Sequence, residues 1–456
     1  MNKKIIFLMT LFGFLFLLSC SKDDSLENEI TESKTNQWIE RIMRDHYLWY
    51  DELPEKVDYS LSPEDFFNSL LNSKDGKKTE DGTPYFYSSI EKYTLDTKSF
   101  DENDTYGFTF AKLQDNDMVY LWVLYVLPHS PASEAGLQRG DWILGIDSNT
   151  YNISDDETLE SGTAHDLLLG SLSFLEGRFV KGQTIHLPAS RAVTNTPFLC
   201  DSVYHREGHT IGYMVYNSFR AGVDKNDLED VTYDDEMIEK MTHFKQEGVQ
   251  EFILDLRYNG GGRLSSAQKM TTLLAPESAL NKVFCIEEYN DKQNPRERKT
   301  YLDPDQVNKV NLNLDHLYVL VSDYTASASE LVINSLIPYI GRDHITLIGK
   351  ATEGKTVGME IFGIGQDYGY LLSPLSFYIF NSEKKADYAD GFTPDILFNE
   401  LYVNYTMYPF GDEREQMLSL AFNKIEGKSS VILSKSNDTG LRAVRCLDGF
   451  HKIGWF

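Results

Sequence analysis

The residues best suited to covalent chemistry lie in the segment TASASE, residues 325–330. This segment follows an apolar run and precedes a helical pattern that starts near Ser329. A turn of small residues between a strand and a helix exposes a serine hydroxyl and directs helix N-terminal N–H groups to the same place. The pattern predicts a nucleophile beside an oxyanion hole, with Ser327 as the nucleophile. Ser329 is the alternative, although its expected role is the helix N-cap, with Glu330 in the first turn.

A second segment, DLRYNGGG at residues 255–262, ends an apolar strand pattern in three consecutive glycines. Such a run costs backbone entropy and packs no side chain. It is typical of a place where the backbone approaches a ligand or keeps its N–H groups free to donate. For Asp255 and Arg257 we expect a structural ion pair that supports the glycines, in preference to a catalytic role.

A hydroxyl nucleophile needs a base, and Lys355 is the candidate because no histidine flanks the serine turn. It lies in the glycine-framed segment 349–358. Burial lowers the pKa of a lysine amine toward the working range, and Ser–Lys pairs are a variant of the catalytic triad. The alternative is an ordinary solvated lysine. Glu353 and Glu360 are expected to face solvent, although either could orient Lys355.

The elements around these segments alternate between strand and helix, which predicts an α/β domain over residues 193–425. Continuous apolar runs are typical of strands that are covered on both faces of a sheet. The runs that predict strands are 209–216, 252–256, 317–321 and 345–348, and the amphipathic patterns that predict helices are 234–246 and 329–340.

Residues 35–103 have apolar residues at intervals of three and four and predict a small, mainly helical domain. Within it, Ser62 is the expected cap of a helix that begins at Pro63. Residues 426–456 match no element and stay unassigned.

Residues 104–192 have a different pattern. The run SPASEAGL at 130–137, followed by GDWILGI at 140–146, resembles a PDZ domain, which is β-sandwich-like with two helices. A PDZ loop of backbone N–H groups captures a peptide carboxylate, and the peptide adds a strand to the sheet edge. The alternative is a PDZ domain that packs only as a structural or gating element. The residues in the place of the carboxylate loop are Gly107, Phe108, Thr109 and Phe110, with Thr109 where a second glycine is usual.

These motifs and the segment DGFTPDI at 390–396 occur in an order and spacing that resemble the C-terminal processing (tail-specific) peptidase family. The resemblance implies a multidomain α+β protein with a helical N-terminal domain, a PDZ domain and an α/β catalytic domain of ClpP/crotonase type. It implies Ser327 as nucleophile, Lys355 as general base, and the Ala328 and Gly261 N–H groups as oxyanion hole. The implied reaction is acyl transfer to Ser327 followed by hydrolysis, an endopeptidase activity on extended or unfolded polypeptide without metal or cofactor.

The sequence departs from the family pattern behind the lysine. The family often has a glutamine four residues after it, whereas this chain has Met359 followed by Glu360. The third catalytic residue is therefore open between Glu360 and Glu353. A second hypothesis follows, an inactive cell-surface protein of the same fold that binds peptide tails or other ligands.

Residues 1–19 resemble the signal peptide of a bacterial lipoprotein. Two lysines precede an apolar core that is too short for a permanent transmembrane helix, and the motif LLSC ends at Cys20. We expect acylation at Cys20, a tether over 20–34 and an outer-membrane location, exposed at the cell surface. The alternative is a plain cleaved signal with an incidental cysteine.

The composition is globular, with 41% hydrophobic residues, and acidic, with 70 Asp and Glu against 43 Lys and Arg. A formal net charge of −27 argues against nucleic acid and against docking on anionic lipid. Polypeptide is therefore the expected partner.

The cysteines besides Cys20 are Cys200, Cys285 and Cys446, and they have no zinc-site spacing. We expect them to be buried free thiols, although an oxidising compartment permits one disulfide among them.

Overall fold

The computed structural model of the chain describes residues 23–79, 82–92, 104–115, 118–147, 149–150, 158–159, 161–173, 178–223, 227, 229–364, 368–401, 406–428 and 442–444. The chain forms two compact units. The first comprises Met1–Leu95, Tyr289–Asn294 and Met359–Ser376. The second comprises Asp96–Glu288, Pro295–Gly358 and Phe377–Phe456.

The first unit contains helices α1 (Asp23–His46) and α2 (Pro63–Ser69). Helix α2 begins as predicted, because the Ser62 hydroxyl accepts a hydrogen bond from the Asp65 N–H and Pro63 stands at its first position. Besides these helices, the unit contains a hairpin of β1 and β2 and an antiparallel pair of β3 and β20. These strands are β1 (Gly76–Lys78), β2 (Pro84–Phe86), β3 (Ser89–Lys92) and β20 (Tyr370–Ser373).

Helix α1 begins at Asp23, within residues 20–34, for which a tether stays a prediction. The segment 23–34 contains neither glycine nor proline and includes several strong helix formers. Adding residues to an existing helix is much easier than starting one, so the apolar-patterned part of α1 extends into its polar N-terminal part.

The predicted PDZ region forms a sheet in the second unit with strand order β10-β9-β7-β6-β5-β23. Of the two predicted helices, the described residues contain one complete helix, α3 (Pro131–Glu134), capped by Ser130. The strands of this region are β4 (Asp104–Thr105), β5 (Phe108–Asp115), β6 (Met118–Val126), β7 (Trp142–Ile146), β8 (Asn149–Thr150), β9 (His165–Ser173), β10 (Arg178–Leu187), β11 (Arg191–Ala192) and β23 (Arg442–Val444).

The α/β part of the second unit is built on a sheet with strand order β12-β13-β14-β17-β18-β22. Strand β12 pairs antiparallel with β13, and all following neighbours are parallel. The strands are β12 (Phe198–Arg206), β13 (His209–Tyr216), β14 (Glu251–Asp255), β17 (Leu317–Val321), β18 (Ile345–Gly349) and β22 (Ile396–Leu397).

Helices cover this sheet, as the continuous apolar strands predicted. Helix α5 packs against α4 and α6, and α7 packs against β14, β17 and β18. Every residue of β17 and β18 is buried. The helices are α4 (Thr232–Gln246), α5 (Leu264–Leu274), α6 (Ala328–Ile340) and α7 (Gln416–Ile425).

The parallel register decides where the chemistry can occur. Asp255 at the end of β14 lies opposite Leu320 near the end of β17. The glycine segment follows β14 and the serine turn follows β17, so both leave the same edge of the sheet. Ligand sites of open α/β sheets lie at this carboxyl edge.

The remaining strands form a separate four-stranded sheet with order β16-β15-β21-β19. They are β15 (Val283–Tyr289), β16 (Glu297–Tyr301), β19 (Val357–Met359) and β21 (Leu375–Phe380). Cys285 is a buried free thiol, as predicted, whereas Cys200 is free but only partly buried. Among the described residues, every helix is too short or too polar to cross a lipid bilayer.

Candidate active site

Ser327 lies in a strained turn between β17 and α6. Its backbone has φ of 55° and ψ of −114°, a conformation that side-chain-bearing residues rarely adopt. Such strain costs on the order of 1–3 kcal/mol and persists only where surrounding contacts impose it. Here Thr325 supplies part of them, since its hydroxyl donates to the Leu256 carbonyl at 2.8 Å and accepts from the Ser322 N–H. The strained turn is the arrangement that α/β hydrolases use to present a nucleophile.

Ser329 has a different position from the predicted one. Ser327 is the N-cap of α6, and Ser329 is the second residue of the helix. The Ser329 hydroxyl is fully buried and donates to the Asn259 carbonyl at 3.0 Å. The N-cap prediction for Ser329 is therefore wrong, and its hydroxyl joins the serine turn to the glycine segment.

Gly261 lies directly against the serine turn. Its φ is +110°, and a Cβ at this position would lie 2.8 Å from Ser327 Cβ and 3.1 Å from the Ala328 nitrogen. Only glycine fits such an approach. The predicted oxyanion donors, on Ala328 and Gly261, are thus neighbours beside Ser327. The Gly261 N–H, however, donates to Asn259 Oδ1 at 2.9 Å.

Asn259 holds the glycine segment in place, a role that the sequence analysis missed. Its side chain is fully buried, and Nδ2 donates to the Tyr216 carbonyl at 2.8 Å. Its own carbonyl accepts from the Ala326 N–H at 3.1 Å. One residue therefore connects the end of β13, the glycines and the serine turn. The available signal was a lone amide side chain between a buried strand and three glycines.

Glu330 connects the serine turn to the lysine segment. Its carboxylate accepts from the Ser327 N–H and the Lys355 N–H, each at 2.9 Å. It also accepts from the Gly354 N–H and the Thr352 hydroxyl, each at 2.6 Å. Burial raises the pKa of Glu330 to about 7, although these four hydrogen bonds oppose the increase. In the sequence, Glu330 is recognisable only as an acidic residue of a first helical turn, so this bridge was not predicted.

Lys355 is buried, with 3% of its surface exposed, so the alternative of a solvated lysine is wrong. It stands in the connection between β18 and β19, directly after Gly354. Gly354 has φ of +86°, and a Cβ there would lie 2.3 Å from the Ala389 carbonyl oxygen. The glycine therefore lets the lysine segment pass close to a neighbouring chain segment.

A buried cluster of charges supports the glycine segment from behind. The Arg257 guanidinium donates to Asp255 at 2.8 and 2.9 Å and to Glu415 at 2.8 Å, and all three side chains are buried. This is the predicted structural ion pair. Glu400 belongs to the same buried cluster. Burial would raise the pKa of this glutamate, but the guanidinium groups of Arg139 and Arg257 lower it to about 2.

Arg139 brings the PDZ region into this cluster. Its guanidinium donates to Glu400, and to the Tyr258 hydroxyl at 3.1 Å. Tyr258 is the residue immediately before Asn259. The contact therefore joins the PDZ region to the start of the glycine segment, and nothing in the sequence patterns signalled it.

Comparison with known proteins agrees with this arrangement. The description "Peptidase family S41" matches residues 210–398, "Peptidase S41 N-terminal domain" matches 34–89, and "PDZ domain" matches 122–160. A crystal structure described as an S41 protease from Bacteroides fragilis is 32% identical, with a TM-score of 0.75, and the alignment covers 86% of this chain and 98% of that one. The chain belongs to peptidase family S41.

Two curated S41 relatives are more distant. A carboxyl-terminal-processing protease of Synechocystis is 28% identical over 250 residues, which cover 55% of this chain and 52% of the relative. The carboxy-terminal processing protease CtpA of Bacillus subtilis is 23% identical over 337 residues, which cover 71% and 59%. The chain spans about half the length of the curated relatives that it matches.

The two glutamates that could orient the lysine have separate surroundings in this S41 chain. Glu353 is buried, with 9% of its surface exposed, so the solvent-facing expectation is wrong for it. Its N–H donates to the Thr325 carbonyl at 3.0 Å. Glu360 belongs to the first unit, where it is partly buried and lies 3.3 Å from Nδ1 of His46. Glu353 is therefore the candidate that shares a unit with Ser327 and Lys355.

The predicted carboxylate loop of the PDZ domain is shorter than expected. Gly107 precedes β5, with φ of +75°, whereas Phe108, Thr109 and Phe110 belong to the strand. A β-bulge lies between Thr109 and Phe110. Capture of a carboxylate at Gly107 stays a prediction.

Two further predictions concern a metal and the chain's N-terminus. Among the described residues, no group of three or more His, Cys, Asp or Glu side chains could hold a metal ion. Cys20 and the signal at 1–19 lie outside the described residues, as does Cys446.

Proposed function

We propose that this chain is a serine endopeptidase with Ser327 as nucleophile and Lys355 as general base. The observation that carries the proposal is the Glu330 carboxylate, which binds the backbone N–H groups of both residues. The two segments are thereby held to one buried side chain. Burial of Lys355 and the strained backbone of Ser327 are further support, because neither benefits an ordinary surface loop.

The proposed reaction proceeds in two acyl-transfer steps. The neutral Lys355 amine takes the proton of the Ser327 hydroxyl while Oγ attacks the carbonyl carbon of a peptide bond. The resulting oxyanion collapses, the C–N bond breaks, and the amine leaves with the proton returned by the Lys355 ammonium. Water then attacks the acyl-enzyme, with Lys355 again as base, and releases the new carboxylate and Ser327.

The oxyanion is assigned to the N–H groups of Ala328 and Gly261. Ala328 is the first residue of α6, where the helix dipole favours negative charge. The Gly261 N–H would have to exchange Asn259 Oδ1 for the oxyanion, or share it. Removal of one oxyanion donor costs about 10²–10³ in rate. We assign the orientation of Lys355 to Glu353.

The proposed substrates are extended or unfolded polypeptides, which the PDZ domain engages by strand addition. The second candidate is an inactive surface protein of the same fold that binds peptide. The occupied Gly261 N–H favours it, because a donor engaged with Asn259 does not stabilise an oxyanion.

A fluorophosphonate probe, which reacts with activated serines, separates the two candidates. Purified chain should be labelled, and Ser327→Ala should lose labelling. Ser329→Ala is the matched control and should keep it, because the Ser329 hydroxyl is engaged with Asn259. Lys355→Ala should lower the labelling rate by at least 10². Undiminished labelling of Ser327→Ala, or no labelling of a chain that still binds unfolded polypeptide, would overturn the peptidase proposal.

We also propose that the chain is an outer-membrane lipoprotein acylated at Cys20 and exposed at the cell surface. The support is the short apolar core followed by LLSC. Metabolic labelling with a fatty-acid analogue tests this proposal. Cys20→Ala should lose the label and leave the membrane fraction, and an unlabelled wild-type chain would contradict the proposal.

A further inference from the structure

The C-terminal part of the chain contributes a strand to the PDZ sheet. Strand β23 pairs antiparallel with β5, with Arg442 opposite Gln114, Ala443 opposite Leu113 and Val444 opposite Lys112. Without β23, strand β5 would form one edge of this sheet, since its other neighbour is β6. Part of the edge that an extended polypeptide could join, residues 112–114, is therefore covered by the chain itself.

The position of β23 is that of a PDZ ligand. Strand β5 starts directly after Gly107, the turn at which a peptide carboxylate is expected. PDZ domains bind peptide by adding a strand to such an edge. Strand β23 also has the direction of a ligand, because Arg442 lies opposite Gln114 and the later Val444 lies opposite Lys112, nearer to Gly107.

We infer that the C-terminal segment around Arg442–Val444 is an intramolecular ligand of the PDZ domain. It occupies the strand-addition site on β5, and extended polypeptide must displace it. The inference rests on the proposed function only in taking the PDZ domain as the module that engages peptide. The inference goes beyond the proposed function by naming a segment of the same chain as the ligand that occupies this site before a substrate binds.

The physical basis of the competition is main-chain pairing. Strand addition depends on backbone N–H and C=O groups, so one edge accepts many sequences with modest affinity. A tethered segment acts at an effective concentration on the order of 1 mM. For a segment affinity on the order of 0.1 mM, the tethered copy weakens binding of a free peptide about tenfold.

Two other arrangements would give a similar strand pairing and are outcomes of the test. A permanent edge cover, which protects β5 from aggregation, would never be displaced. A strand supplied by a second copy of the chain would depend on protein concentration. The experiments below use the Ser327→Ala background, so that no outcome depends on peptide cleavage.

Hydrogen–deuterium exchange of the full chain tests whether β23 covers β5. Of the two N–H groups at Ala443 and Val444, one points to β5, because N–H groups of adjacent strand residues alternate in direction, so the double variant Ala443→Pro and Val444→Pro removes that donor whichever residue holds it. We expect those amides of residues 112–114 that point to β23 to exchange at least tenfold faster than in the parent chain, whereas the amides that point to β6 should be unchanged. Ser436→Pro, outside β23, is the matched control and should match the parent. Equal β5 exchange in the parent and the double variant would overturn the inference, as would β5 protection in the parent that rises with protein concentration.

Fluorescence anisotropy tests whether the site is exchangeable. A fluorescein-labelled peptide with the sequence of residues 438–450, with serine at the position of Cys446, should bind the full-length double proline variant about tenfold more tightly than the parent. A chain that ends at Lys428 should bind like the double variant. The same peptide with prolines at the positions of Ala443 and Val444 should bind at least tenfold more weakly. Equal binding to the parent and the double variant would overturn the inference, even if unfolded polypeptide still bound and the fluorophosphonate probe still labelled Ser327 of the wild-type chain.

Discussion

Two buried glutamates lie at opposite ends of the catalytic arrangement and have opposite electrostatics. Glu330 contacts three backbone N–H groups and a threonine hydroxyl, and its burial raises its pKa to about 7. Glu400 is also buried but contacts two guanidinium groups, from Arg139 and Arg257, which lower its pKa to about 2. Neutral donors satisfy the lone pairs of a buried carboxylate, but only opposite charges compensate fully for the lost hydration.

The difference in pKa shows that the two glutamates have different structural roles. Glu400 and its arginines join the PDZ region to the start of the glycine segment and stay charged throughout the physiological range. Glu330 joins Ser327 to Lys355 and changes charge near neutral pH. The PDZ junction is therefore held by ion pairs, whereas the geometry of the proposed catalytic pair depends on the protonation of a single carboxyl.

The largest effect is expected from Glu400→Ala. The substitution removes one of the two carboxylates that the buried Arg139 and Arg257 share and leaves Glu415, and breaking a buried pair from one side costs about 3–5 kcal/mol. Urea unfolding at pH 7 measures the loss. Glu413→Ala is the control, because Glu413 pairs with Arg206 at the surface, and it should cost less than about 1 kcal/mol. Equal losses in the two variants would mean that the buried cluster does not stabilise the junction.

A smaller and pH-dependent effect is expected from Glu330→Gln. Between pH 4.5 and about 7 the folded chain keeps a proton on Glu330 that the unfolded chain has released. Because rising pH favours the state that has released the proton, the free energy of unfolding falls as pH rises through this window. The free energy of unfolding of the variant, minus that of the wild type, should therefore rise by about 3 kcal/mol across this window. Urea titrations at matched pH values cancel the other groups. A difference that stays flat from pH 5 to pH 8 would mean that Glu330 is already ionised.

Glu400 provides the opposite sign within the same molecule. Its pKa is lowered from 4.5 to about 2, so its contribution is present above pH 4.5 and is lost as pH falls through about 2. Strongly acidic and neutral pH therefore weaken different contacts, the Glu400 ion pairs in the first case and the Glu330 hydrogen bonds in the second. The PDZ junction weakens in strong acid, and the Glu330 bridge contributes least to stability above pH 7.

The sequence predicts local features of this site well, because each follows from short-range rules. The strand 209–216 and the α2 cap at Ser62 match the structure, and the strained turn at Ser327 follows a buried strand as expected. Apolar runs and capping residues contain this information within a few positions. The glycine requirement at 261 was also visible, as three glycines after a strand.

The contacts that join these pieces were not predictable in the same way. Arg139 and Glu400 are separated by 261 residues, and neither lies in a recognisable pattern. Glu330 looked like an ordinary acidic residue in a first helical turn until the fold brought Gly354 and Lys355 to it. Partners of buried polar groups are decided by three-dimensional proximity, which one sequence does not encode locally. The extension of α1 to Asp23 shows the same limit, since a polar N-terminal part gave no apolar period.

The smallest effect is expected from Thr352→Val, which removes one of the four donors to Glu330 while keeping the side-chain volume close to that of threonine. A lost hydrogen bond to a charged group costs about 1.5–3 kcal/mol at a pH where Glu330 is ionised, and less where it is protonated. The Thr352 hydroxyl also accepts from the Phe392 N–H, which adds a pH-independent loss of stability.

The direction of the pH effect is a sharper test of Thr352→Val than the size of the loss. With one donor fewer the pKa of Glu330 rises further, so the decline in the free energy of unfolding should extend to higher pH than in the wild type. Thr346→Val is the matched control, because the Thr346 hydroxyl contacts His316 and not Glu330, and it should leave the decline in its original window. A Thr352→Val chain whose decline ends at the same pH as in the wild type would show that neutral donors do not hold the charge on Glu330, and the contrast with Glu400 would then rest on the guanidinium groups of Arg139 and Arg257 alone.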